Sequence, residues 1–203
     1  QLQCLNYIYN NQFDSAELII KAFPAKDAAD GKLLELFSLR WEFIPIIRSK
    51  QSEVYEQKLI GILERINHAD TDYNLYRHIV SELLLAEYYY QQGETLKALL
   101  HGKRAYPLMV QTFDDQSDNP ELQFIQGMYL YYMDFFRNLN FVYRTALFPF
   151  KDGDQVLGLK LLEKSLQTPS RAYTEALIYL SHIYLHLEKN PAKALTFSEK
   201  LAT

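Results

Sequence analysis

Leu83 to Tyr106, LLLAEYYYQQGETLKALLHGKRAY, decides the fold class. Its first half is apolar and tyrosine-rich and stops at Gln91-Gln92-Gly93, and a second helical stretch opens at once with Glu94-Thr95. Glycine at position 93 permits the backbone conformation that ends a helix tightly. Small residues at Ala86 and Ala98 are where the two helices would nest. The stretch predicts a helical hairpin, and the rest of the chain reads as imperfect copies of it.

Leu5, Ile8 and Tyr9 begin a helix that ends at Asn10-Asn11-Gln12; Phe13-Asp14-Ser15-Ala16 opens the next, which Pro24 stops. Gly31 precedes an apolar helix from about Lys32 to Arg48, interrupted by Pro45. Apolar residues recur at helical spacing from Gln51 to Ile66, and Asp70-Thr71-Asp72 supplies capping side chains before the hairpin. Asp114 to Asn119 is a loop, and Asn119-Pro120-Glu121 has the form of a helix start. A long aromatic helix is expected from about Leu122 to Leu147, broken by Pro149. Asp154 caps the next helix, Thr168-Pro169-Ser170 separates the last hairpin, and Asn190-Pro191 starts its second member. No strand pattern is visible.

Four of these second helices align on a small residue. Ala16, Ala98, Gly158 and Ala194 each fall five positions after a turn residue, namely Asn11, Gly93, Gly153 and Lys189. This arrangement resembles the tetratricopeptide repeat. In the best copy Leu85-Ala86, Tyr89, Gly93, Ala98 and Ala105 match the motif's positions, and the last copy retains Asn190-Pro191-Ala192-Lys193-Ala194-Leu195. The order of Phe13-Asp14-Ser15-Ala16, Pro24, Trp41, Gly127, Phe148-Pro149-Phe150 and Gly158 to Leu162 is also similar to a group of bacterial tetratricopeptide proteins. The resemblance implies an all-α, right-handed α-α superhelix of about five hairpins, residues 1–203 forming a single domain, whose concave face binds another protein or peptide.

Composition fits that picture. The chain has 203 residues, 48% hydrophobic and 23% charged, too apolar for disorder, with seven glycines and seven prolines. A formal charge of −4 without a basic stripe argues against nucleic acid as the main partner. No run of about 18 apolar residues offers a membrane span. A single cysteine, Cys4, excludes an internal disulfide. Opening on Gln1 rather than Met fits a cleaved export signal and a trimmed upstream segment equally; export from a bacterial cytoplasm is the expectation adopted.

Chemistry is sparse. There is no GxSxG, no phosphate-cradling loop and no GxGxxG. His182 and His186 stand four apart without a third ligand, and the aspartates around 114–118 and 152–154 lack the calcium-loop pattern, so no metal or other cofactor is expected. His101, Lys103 and Arg104 read as a solvated basic face. The stretch with the most functional promise is Tyr129 to Arg144, YLYYMDFFRNLNFVYR, aromatic nearly all round, with Arg137 and Arg144 seven apart on one helix face, where they could grip a carboxylate or a peptide C-terminus; the plainer reading is a central buried helix whose arginines pair with local acids. Of Tyr88, Tyr89 and Tyr90, which point three ways, at least one should face solvent or a groove.

These residues predict a non-enzymatic scaffold or adaptor that grips a protein through Tyr88, Tyr89, Tyr132, Arg137 and Arg144, with Ala16, Ala86, Gly93, Ala98, Gly153, Gly158 and Ala194 serving the repeat. The alternative is a helical domain that binds a sugar or lipid in a pocket beside Tyr132 and Phe136. Converging buried carboxylates or histidines would instead mark an enzyme.

Overall fold

The computed structural model describes residues 1–24, 28–43, 50–64, 72–114 and 118–201. The expected Pro45 break, the Asp70-Thr71 cap and the middle of the Asp114–Asn119 loop lie outside those residues. Among the described residues the chain is all-helical, with no strand. The helices are α1 (Leu2–Tyr9), α2 (Phe13–Lys21), α3 (Ala28–Phe43), α4 (Lys50–Leu63), α5 (Asp72–Gln91), α6 (Thr95–Asp114), α7 (Pro120–Leu139), α8 (Phe141–Ala146), α9 (Gln155–Ser165), α10 (Tyr173–His182) and α11 (Pro191–Leu201). They form two compact units, Gln1–Leu108 and Met109–Thr203; the division falls inside α6, one residue past Pro107. Pro107 lacks an amide hydrogen, so the helix loses one bond there.

In the first unit α1, α2 and α3 pack together, α3 on α4, and α4 on α5. Ala16 is fully buried where α2 meets α1, and the Cys4 thiol donates to its carbonyl at 3.6 Å. The helix holding Gly31 starts earlier than expected: Gly31 lies inside α3, and a methyl group there would stand 3.2 Å from Phe23 Cβ. Leu33, Leu34, Leu36, Phe37 and Ser38 are all buried, so α3 is a central helix. Polar ties join α3 to α5: Arg40 grips both oxygens of Glu87 at 2.9 and 3.1 Å, and Arg77 reaches buried Asp30 at 2.7 Å.

In the second unit α7 and α9 cross almost backbone to backbone. A methyl group on Gly158 would lie 2.6 Å from Tyr131 N and 2.9 Å from Gly127 O; one on Gly127 would meet Leu162 Cγ at 2.8 Å. Glu121 to Gly127 are all buried, and Glu121 in the first turn of α7 holds Arg171 through two bonds of 2.6 Å. The caps fall where the sequence places them: Asn119 accepts from Glu121 N at 2.9 Å, Asp154 from Leu157 N at 2.9 Å, and Asn190 from Lys193 N at 3.1 Å. A π-helical turn, Ile183–Leu187, ends α10. Within it Tyr184 stacks on Phe197 of α11 at 5.7 Å.

The long helix expected from Leu122 to Leu147 is two helices. Asn140 breaks it in extended conformation, φ −164° and ψ 172°, and its side chain caps α8 by accepting from Tyr143 N at 3.1 Å. Asparagine favours a cap over a helix interior because its side chain competes for backbone groups. The break comes nine residues before Pro149, and it separates Arg137 from Arg144, which therefore share no helix face.

The turn positions behave largely as the alignment predicts. Asn11, Gly93 and Lys189 have φ of 58°, 79° and 53°. After Asn11 and Gly93 the next amide bonds back five residues, Gln12 N to Tyr7 O and Glu94 N to Tyr89 O, each at 2.8 Å. Both are Schellman-type closures. Gly153 differs. Its backbone is not left-handed; a methyl group there would collide with Asp134 N at 2.2 Å and Leu130 O at 2.6 Å. It is small so that the loop can lie on α7.

Of the nesting residues, Ala16, Gly158 and Ala194 are buried, whereas Ala86 and Ala98 are half-buried. The hairpin that fixed the fold class is thus not closed through its alanines. A polar pair joins its two helices.

Candidate functional site

That pair is Glu82 on α5 and His101 on α6. His101 Nδ1 lies 2.6 Å from Glu82 Oε2, and both residues are buried, 9% and 5% exposed. His78 is one helical turn before Glu82, its Nε2 4.0 Å from Glu82 Oε1. The Tyr89 ring stacks on the His101 imidazole at 5.3 Å and 19°. His78, Glu82, Leu85 and Tyr89 fall at intervals of four, three and four, which puts all of them on one face of α5.

These side chains line a cleft of about 440 Å³ in the first unit, completed by Ile60 and Glu64 from the end of α4 and by Arg104 from α6. Ile60, Leu85 and the Tyr89 ring give it apolar walls. Glu82 and the two histidines give it a polar side, and Glu64 and Arg104 are its exposed charges.

Around Tyr89 the charges are organised. Its hydroxyl donates to Glu56, and burial followed by that bond pushes its ionisation up, so it remains a donor. Lys97 sits 4.8 Å from the ring centroid while pairing with Glu94 at 2.5 Å. The Tyr89 face accepts a cation from this chain itself.

The residues expected to bind a partner are dispersed. Tyr88 and Tyr89 are buried, 8% and 6% exposed, and pack edge to face at 5.3 Å; Tyr90, 72% exposed, is the one of the three that faces solvent. Tyr132 is half-buried, stacked on Phe136 at 5.9 Å, and burial with Tyr179 nearby pushes its phenol up to about 12. Arg137 donates to the carbonyls of Leu147 and Phe150 at 2.7 and 2.8 Å and contacts Asp152. It fastens the loop after α8 to α7. Arg144 is exposed on α8.

His101 corrects the expectation of a solvated basic face: Lys103 and Arg104 are exposed, but His101 turns inward to Glu82. A polar pair on the core-facing stripe of α5 was legible in the spacing of His78, Glu82 and Leu85. Its partner 19 residues away, across the Gly93 turn, was not.

His182 and His186 stand 4.8 Å apart, both exposed, across the junction of α10 with the π turn. Among the described residues no three His, Cys, Asp or Glu are grouped to hold a metal ion. Asp118 instead pairs with Lys164 at 2.7 Å, and Asp154 serves as a cap. Cys4 is buried and its thiol ionisation is raised by burial, the profile of a packing residue. No described helix is long and apolar enough to cross a membrane.

Compared with protein-family models, with characterised proteins and with solved structures, the chain shows no significant match to any.

Proposed function

We propose that this chain is a non-enzymatic, tetratricopeptide-like adaptor that grips a segment of another protein in the α4–α5–α6 cleft of its first unit. One observation carries the reading: a buried Glu82–His101 pair opens on a cleft with apolar walls, where a few convergent polar groups orient a ligand and the apolar area holds it. The left-handed turns at Asn11, Gly93 and Lys189 support the repeat assignment. The test is capture from a lysate of the native host by wild type, Glu82→Gln and Arg144→Ala. Loss of a specific protein with Glu82→Gln and its retention with Arg144→Ala supports the cleft. The reverse moves the site to the aromatic α7–α8 region.

A second reading, an enzyme, has in its favour the convergence of a buried carboxylate with two histidines that the sequence reading set as the mark of one. An imidazole held at Nδ1 by a carboxylate is the arrangement that orients histidine for proton transfer, and about 440 Å³ suits a small polar molecule. Under that reading the ligand is a metabolite-sized compound, and a compound rather than a protein raises the melting temperature of wild type but not of His101→Phe.

A further inference from the structure

The cleft in the first unit carries a more specific statement about its ligand, which rests on the binding function proposed above. We propose that it takes a basic side chain, lysine or arginine, from the partner segment, with the ammonium or guanidinium group against Glu82 and the alkyl stem along Ile60 and Leu85.

The charge pattern is the first argument. Among the described residues Glu82 and Glu64 line the cleft, Glu56 accepts from the Tyr89 hydroxyl, and Arg104 supplies the guanidinium of the lining. Burying a carboxylate is costly unless a cation or several donors answer it. Glu82 Oε2 is answered by His101 Nδ1 at 2.6 Å, while Oε1 is 4.0 Å from His78 Nε2, too far for a hydrogen bond. A carboxylate offers about four lone-pair sites. An entering ammonium or guanidinium adds charge-assisted bonds to Oε1, where the described residues place none of that strength.

Shape is the second argument. Ile60 and Leu85 are carbon surface beside an acid, the environment that suits a lysine or arginine whose stem is apolar and whose head is charged. The third comes from the chain itself. Lys97 already places its ammonium 4.8 Å from the Tyr89 ring centroid and 2.5 Å from Glu94, so this neighbourhood attracts cations from within. An acidic side chain in the same place would face the carboxylates of Glu82 and Glu64.

The test uses the full chain and blocked tripeptides as probes: acetyl-Gly-Lys-Gly-amide, its arginine counterpart, and the norleucine and glutamate versions. Methyl resonances of Ile60 and Leu85 and the ring protons of His78 and His101 report occupancy. The lysine and arginine probes should shift these signals with dissociation constants of about 1 mM, in keeping with a single side chain. The norleucine and glutamate probes should leave them in place. Glu82→Gln should weaken the lysine probe by about tenfold. Glu64→Gln, at the exposed rim, should weaken it by about twofold, and this variant, with the probe comparison on wild type, decides the matter should Glu82→Gln misfold. Equal binding of the norleucine or glutamate probe, or a lysine affinity indifferent to both substitutions, overturns the proposal. Those outcomes are separate from failure of the binding function itself, which shows as capture of the partner protein indifferent to every cleft variant.

Discussion

Replacing Gly158 by alanine should separate two opposing consequences of adding one methyl group. In a helix interior alanine is favoured over glycine by about 1 kcal/mol. At Gly158, however, the new carbon would stand 2.6 Å from Tyr131 N and 2.9 Å from Gly127 O, and both are main-chain atoms of α7 that cannot swing aside. Overpacking of this kind costs about 1–3 kcal/mol, and rigid backbone on the far side puts the cost at the upper end. The net expectation is a loss of about 2 kcal/mol once the helical preference is subtracted. Gly102 in α6 is the matched control: a methyl group there meets nothing within 4 Å, so Gly102→Ala should stabilise by about 1 kcal/mol. Guanidinium unfolding followed by far-UV circular dichroism measures both, and Trp41, the chain's one tryptophan, reports the first unit separately by fluorescence. A Gly158→Ala variant as stable as Gly102→Ala would refute the claim that α7 and α9 meet through their glycines.

Three further outcomes are expected. Lys189, with φ 53°, holds a left-handed turn that disfavours branched side chains, so Lys189→Val should cost about 1 kcal/mol in a denaturant series while Lys189→Gly is neutral or stabilising. Arg171→Met leaves Glu121 buried without its guanidinium and should cost about 3–5 kcal/mol, most of it recovered in the double variant with Glu121→Leu. Burial works to raise the Glu163 carboxyl, but bonds from Lys193 at 2.8 Å and Tyr184 at 2.7 Å outweigh it and hold the group below its ordinary value. A carboxyl that gives up its proton more readily when folded stabilises fully above about pH 5 and loses that contribution as the pH falls through its folded value. Urea midpoints of wild type should therefore drop more between pH 5 and pH 3 than those of Glu163→Gln.

Much of the fold was legible because it is written in local chemistry. Asn119, Asp154 and Asn190 cap helices through their own side chains, and Asn11, Gly93 and Lys189 turn the chain within a few residues. Periodicity and cap residues report such short-range facts directly. Asn140 is the instructive failure. Aromatic residues on both sides favoured one long helix, and only the competition of the asparagine side chain for Tyr143 N reveals the break. The site was less legible for a different reason. Tyrosine counts point equally to core and to surface, and Tyr88 and Tyr89 are core. Arg137 looked like an anchor for a ligand carboxylate and instead holds carbonyls of its own loop. The Glu82–His101 contact joins residues on two helices, and no local pattern in α6 distinguishes an inward histidine from an outward one.

The most direct measurement places a photo-crosslinking amino acid at Ile60, on the wall of the cleft, and separately at Val156, which is 80% exposed in the second unit. In the native host the Ile60 position should yield a discrete adduct with another protein, absent when Glu82→Gln is added, and the Val156 position should yield none of that mass. An adduct at Val156 alone, or an Ile60 adduct indifferent to Glu82, would contradict binding at the α4–α5–α6 cleft.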